Sequence, residues 1–353
     1  MTARQLTALC AAGMVSPATQ ALPFWAAGAS RSGWLIMAVC LPLNLLAACT
    51  FIIYKNRPEL GFAELSMSVF GRVLGKFLML AAGVAAPMVM LAFNTRVFAA
   101  RFTATIFPGA SEYVFLFALL TLTFFITRGG PARAARMGVI LLWAALGVLA
   151  LLFICSLGTL KAANLFPVSP RDYGALAAAA PVGLSVFGVF ALGSFLSGHV
   201  SNRPELARET RRAIVTMTVF LTAILVVCVG VLGPEMIKRT DYPVFTAVKD
   251  LYFPGVLERL DVFAVTLWML SDTALAALYF IVAAVTLSRV FGIKQYKNIA
   301  LPLHIIIAGQ AFYRMDPLAA RELMIFTVEP VCLSVTGGFV LLLYTVGKIR
   351  RKI

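Results

Sequence analysis

The chain has 353 residues, of which 61% are hydrophobic and only 13% charged, and it carries a formal charge of +15. Soluble domains carry about a quarter of charged residues, so this composition excludes the two or three soluble domains its length would otherwise suggest. The basic residues sit at the ends of apolar runs, where they set orientation and meet anionic headgroups of a lipid bilayer; nucleic acid is excluded as their partner.

Apolar runs close to the roughly 20 residues that span a bilayer recur along the whole chain. Short alternating segments of a β-barrel are missing, so the fold class is an all-α polytopic membrane protein. Hydropathy predicts about ten transmembrane helices, near residues 6–30, 33–54, 75–106, 113–128, 135–157, 180–199, 213–233, 260–289, 298–313 and 323–347. The fourth and ninth are short. Arg4 precedes a short apolar core that resembles a secretory signal, but the many later spans argue against cleavage there.

The first span contains "GMVSPATQALPFW", residues 13–25. Pro17 removes a backbone donor and clashes with the preceding turn, so the helix is expected to break near residues 14–18. After the second span, "PELGFAELSMSVFGRVLGKF" spaces Phe62, Leu65, Val69, Val73 and Phe77 as one helical face, which predicts an interfacial helix feeding the third span. The sixth span, "PVGLSVFGVFALGSFLSGHV", repeats Gly183, Gly188, Gly193 and Gly198 among Ser185, Ser194 and Ser197, and predicts a second weak point near residues 187–193. The six cysteines form no C-x-x-C pair, so neither a disulfide framework nor a metal site is expected.

With the N-terminus inside, nineteen Lys and Arg fall on the cytoplasmic side and nine outside, with both termini cytoplasmic. Ten spans divide into five and five, and because five is odd the second half enters from the opposite side. If the halves share a fold, repeat one covers 1–160 and repeat two 175–353 within a single membrane domain, and spans one and six correspond. Paired interruptions in corresponding spans point to a midplane binding site. Candidate ligand-binding residues are then Met14, Val15, Ser16, Pro17, Ala18 and Thr19 in the first span. Phe187, Gly188, Phe190, Gly193 and Ser194 are their counterparts in the sixth. The alternative is a plain proline kink with glycines that permit close helix packing.

Charge inside a bilayer costs about 2.5–3.5 kcal/mol on insertion scales, which makes each such residue a functional candidate. Arg96 and Arg101 lie in the third span, Asp272 in the eighth and Glu329 in the tenth. Asp272 is expected either to pair with Arg96 or to meet a ligand amine or a proton; Glu329, before Pro330, suits a gate, a proton site or a bond to a freed backbone donor. His304 in the ninth span suits a packed, hydrogen-bonded role. No G-x-S-x-G, H-E-x-x-H or Walker loop occurs, so no catalytic residue or cofactor is expected.

The stretch "YPVFTAVKDLYFPGVLERLDVFAVTLWMLSDTALAALYFIVAAVTLSRVFGIKQY" resembles the spore-germination permease family, the B-type membrane subunit of nutrient germinant receptors. Tyr242-Pro243, "FPGVLERLD", Trp268, Tyr279-Phe280 and the closing "FG-x-K-x-Y" carry the resemblance, and "RQLTALCAAGMVSPATQALPFWA" is similar to the family's opening segment. The relation of that family to amino acid–polyamine–organocation transporters implies a LeuT-type 5+5 inverted repeat with discontinuous helices 1 and 6. It also implies a small-molecule germinant, foremost an amino acid, partner subunits in the form of a large membrane subunit and a lipoprotein, and a place in the spore inner membrane. The family often has a basic residue near the position of Leu275 and an acidic one after the central glycine of the sixth span; both are missing here. In the receptor reading, a ligand carboxylate meets N–H groups near Pro17 to Thr19, and carbonyls around Phe187 to Phe190 take its ammonium. The alternatives are a proton-coupled amino-acid transporter working through Asp272 or Glu329, and a ligand-free scaffold for partner subunits.

Overall fold

Among the described residues the longer helices are α1 (Ala3–Gly28), α2 (Ile36–Ala48), α3 (Ala86–Thr105), α4 (Glu112–Arg128), α5 (Pro131–Ser156), α6 (Ala180–Ser194), α7 (Leu206–Leu232), α8 (Asp261–Phe291), α9 (Lys297–Ala311) and α10 (Glu329–Ile349), joined by short helical turns. They come from a computed structural model that describes residues 1–249, 260–293, 297–313 and 316–352, and no strand occurs among those residues. Most of the "FPGVLERLD" turn, residues 294–296 and Arg314 lie outside the described residues.

Each apolar run read from the sequence is helical. Six helical stretches are long and apolar enough to cross a bilayer: Ser30–Asn56, Arg72–Thr105, Pro131–Thr159, Arg203–Leu232, Asp261–Phe291 and Ala319–Ile349. Pro170–Ala178 and Ala180–Ser194, bent by 42°, make a seventh if taken as one span. The 26 residues of α1 reach about 39 Å at 1.5 Å per residue. Its Ser16, Thr19 and Gln20 keep it out of that apolar set, whereas α4 and α9 are shorter, at 17 and 15 residues.

α1 and α8 form the centre. α1 packs against α8, α5, α7 and α6, while α8 packs against α5, α3 and α4, and α6 lies between α1, α2 and α10. Of the apolar window of α8, 83% is buried, more than in any other candidate span. Small residues let these backbones approach: a Cβ on Gly138 of α5 would lie 2.5 Å from Leu9 Cα. The outer faces expose Phe117, Phe125, Ile140, Trp143, Val219 and Ile305, an apolar surface suited to lipid.

Two expectations are corrected. The first span is not broken at 14–18, for α1 runs unbroken through Pro17 and Pro23, and α6 is likewise helical through 187–193. The bend in that region lies earlier, at Ala179. The interfacial helix is also divided. Gly71, at φ +85°, separates Phe62–Phe70 from Arg72–Leu80, so Phe62, Leu65 and Val69 are buried while Val73 and Phe77 face outward. Two π turns, Ala81–Ala85 and Met324–Val328, directly precede the proline-bearing starts of α3 and α10, where Pro87 and Pro330 leave helical carbonyls without a donor.

The chain termini share one end of the bundle. The Met1 ammonium donates to the His199 carbonyl (3.1 Å), and Ser201 N–H donates to Met1 O (2.9 Å). Arg203 reaches Pro58 O at 2.9 Å, Arg289 pairs with Glu64 at 3.3 Å and Arg350 donates to Val69 O at 2.6 Å. At the opposite end Ser32 donates to Asp172 (2.6 Å), Arg31 to Phe166 O (3.2 Å), and Arg321 pairs with Asp241 (3.1 Å). The segments that hold Arg203, Arg289 and Arg350 therefore share the end of the termini, and those that hold Arg31 and Arg321 lie at the other.

Candidate functional site

Pro17 has no N–H, so the Gly13 carbonyl four residues earlier loses its helical donor. The structure supplies one from α8: Ser271 Oγ–H donates to Gly13 O at 3.2 Å, and the same oxygen accepts Ser16 N–H at 2.7 Å. One hydroxyl thus serves the step that Pro17 opens, and α1 stays helical through it. α6 shows a parallel arrangement. Asn44 of α2 donates through Nδ2 to Gly183 O (2.9 Å) and accepts Phe187 N–H at Oδ1 (3.1 Å), the two ends of one i, i+4 helical step. Both weakened helices are therefore plugged by a neighbour's polar side chain.

The helical spacing of α1 divides its candidate residues between two faces. Ser16, Thr19 and Gln20 are buried, and the bonds of Ser16 and Thr19 run to α8 and α3. Arg101 donates to Ser16 Oγ at 3.0 Å and pairs with Asp272, both side chains fully buried. The Arg101 guanidinium lies 4.5 Å over the ring of Trp268, whose Nε1–H donates to Thr19 Oγ1 at 3.2 Å. Thr19 and Gln20 donate to Ser16 O at 2.8 and 3.3 Å. The expected Arg96–Asp272 pair does not form. Five residues turn a helix by about 140°. Arg101 therefore faces the centre, and Arg96 meets Glu112 at the start of α4 at 3.2 Å.

The other face of α1 presents Met14, Pro17 and Ala18, with Ala21 and Leu22, to a crevice closed by Val182, Ser185, Val186 and Val189 of α6 and by Glu329. Its volume is about 10 Å³, the limit for a single water. Val15 is buried in the core.

The expected α6 residues lie elsewhere. Phe187 and Gly188 line a separate groove of about 500 Å³ between α2, α6 and α10; a Cβ on Gly188 would meet Leu333 Cβ at 2.7 Å. Phe190 is buried. Gly193 faces Cys10 of α1, and Ser194 O accepts a bond from Tyr54 OH at 3.4 Å, toward the end that holds the termini. His304 is packed as expected, its Nδ1 2.8 Å from Ala300 O and its ring against Phe280 and Phe124.

The model of the family described as spore germination protein matches residues 1–316. The chain belongs to this spore germination family. It is a permease-type family rather than an enzyme family, and its members' character agrees with the multi-pass membrane architecture. No individually curated protein matches the chain. Trp268 and the opening segment around Pro17, which carry the resemblance in the sequence, meet in the buried network through Thr19. Sequence reasoning missed Ser271, Asn44 and the crevice face of α6. Positions 182, 185, 186 and 189 share one helical face, a signal that the more conspicuous glycines obscured.

Proposed function

We propose that the chain is the germinant-sensing membrane subunit of a spore nutrient receptor, and that it binds a small molecule, foremost an amino acid, between α1 and α6. The observation that carries this reading is the crevice between α1 and α6, whose two helices each have a backbone step bonded to a neighbour's polar side chain on the face away from it. A hydroxyl or amide that bridges a helix gap exchanges for a ligand group more readily than a helical hydrogen bond does. The helices there are therefore poised to respond to a ligand. Ten crossings in a LeuT-type 5+5 repeat, divided as 1–160 and 175–353, agree with α1 lying against α6 and α3 against α8. Both termini at the basic-rich end support a cytoplasmic placement, in the spore inner membrane, with a large membrane subunit and a lipoprotein as partners.

A second reading, a proton-coupled amino-acid transporter, is favoured by the buried carboxylates of Glu329 and Asp272. Thermal-shift screening of the purified protein against amino acids, sugars and nucleosides tests the first reading. A ligand should raise the melting temperature, and Ala18→Leu, which fills the crevice, should abolish the shift. A shift that survives Ala18→Leu moves the site elsewhere. Uptake of the same ligand into liposomes by this chain alone would establish the transporter.

A further inference from the structure

Apart from Ser185, Glu329 is the polar side chain of the crevice between α1, α6 and α10. The residue is 7% exposed, and its carboxylate makes no hydrogen bond or ion pair with any described residue; its titratable neighbour is the buried Tyr279 hydroxyl, which carries no charge to offset it. A bare carboxylate in a low-dielectric interior is unstable until it meets a proton or a cation. The fully buried Arg101 cannot serve it, since that guanidinium is engaged with Asp272, Ser16 and Trp268 on the opposite face of α1.

The backbone holds Glu329 in place. The π turn Met324–Val328 leads directly into it, and Pro330 follows, so α10 enters the crevice at a point where its ladder is already irregular. The remaining walls are Met14, Pro17, Ala18, Ala21, Leu22, Val182, Val186 and Val189, which suit a short aliphatic body and offer no cation to an anion. Carbonyls near Phe187 and Gly188, expected to take an ammonium, belong to the face that lines the other groove.

We infer that Glu329 is the charged anchor of this crevice and that the ligand is recognised through an ammonium group on a compact aliphatic body. The inference rests on the reading of the crevice as the germinant site. It concerns a residue beyond the 1–316 segment matched by the family model. The carboxylate and ammonium form one ion pair, with α1 and α6 moving apart to admit the ligand. A carboxylate on the ligand is tolerated without being required.

Three probes of matched skeleton separate the recognised groups: 2-aminobutyrate, its decarboxylated form propylamine, and its deaminated form butyrate. Calorimetric titration of the full chain in lipid nanodiscs should show binding of the first two, with butyrate at least tenfold weaker. Glu329→Gln should weaken both amines at least tenfold without lowering the melting temperature, and Glu329→Asp should fall between. Butyrate binding as tightly as 2-aminobutyrate would overturn the inference, as would full amine affinity in Glu329→Gln or failure of all three probes to bind the wild type. Ala18→Leu separates the two levels. If it abolishes binding while Glu329→Gln does not, the crevice stands and the anchor falls; if neither changes binding, both fall. Should Glu329→Gln fail to fold, the wild-type probe series decides alone.

Discussion

Ser271→Ala removes the hydroxyl that bridges α1 at Pro17. Two buried backbone groups then lose the hydroxyl they share: Gly13 O, held at 3.2 Å, and Ser16 N–H, held at 2.7 Å. Leaving one buried donor or acceptor unmet costs about 1–3 kcal/mol, while hydrogen bonds between membrane helices average about 0.6 kcal/mol and reach about 1.7. For two bonds the expected loss is about 1–3 kcal/mol. The structure also predicts its remedy. Pro17→Ala restores an N–H that reaches Gly13 O along the helix, so in the double variant that acceptor no longer needs Ser271. Unfolding in mixed micelles, followed by circular dichroism, should therefore show a double variant less damaged than the sum of the singles, with a coupling of about 1 kcal/mol. Stability of Ser271→Ala equal to wild type, or strict additivity with Pro17→Ala, would refute the bridge.

Other perturbations address separate parts of the fold. Asp272→Asn should destabilise by about 3–5 kcal/mol, because it strands the buried charge of Arg101; adding Arg101→Met should recover part of the loss, and adding Arg96→Gln should recover none. Gly138→Ala should cost about 1–3 kcal/mol by forcing α5 from Leu9, whereas Gly147→Ala, with open space around its Cβ, should be neutral or gain up to about 1 kcal/mol, both read from melting temperatures. In a cysteine-free background, single cysteines at positions 203 and 352 should react with impermeant reagents from the same side, the cytoplasmic one. Labelling from opposite sides would contradict the shared end seen for the 197–203 segment and the C-terminus.

The helices were legible because hydropathy and charge are local. Each apolar run became a helix, and Arg203, Arg289 and Arg350 from three basic segments are all tied to the 58–69 segment. The interfacial stripe failed for a different reason. Phe62, Leu65, Val69, Val73 and Phe77 hold one period only if the helix continues, and Gly71 at φ +85° resets the phase between Val69 and Val73. A glycine permits that conformation without demanding it, so the sequence pattern alone allowed both outcomes.

The weak point of α1 was legible as a place, and its partners were not. Pro17 dictates that the ladder of α1 must open at Gly13, and it does; chemistry local to the span does not say who fills the gap. Ser271 lies 258 residues from Gly13, and only packing brings it there. The same limit governed the buried charges. Depth in the membrane nominated both Arg96 and Arg101 and the expected pair took Arg96, but five residues of helix send Arg96 toward Glu112 and Arg101 toward Asp272. A broken helix would present residues 14–19 together to one ligand. An unbroken helix instead sends Ser16 and Thr19 to the Arg101 network and Met14, Pro17 and Ala18 to the crevice of Glu329. Because α1 persists as a helix, it is a wall between two chemistries. Ser271 and Pro17 meet where that wall is weakest, so a ligand that displaces α1 from α6 must strain the Ser271 bridge on its far side.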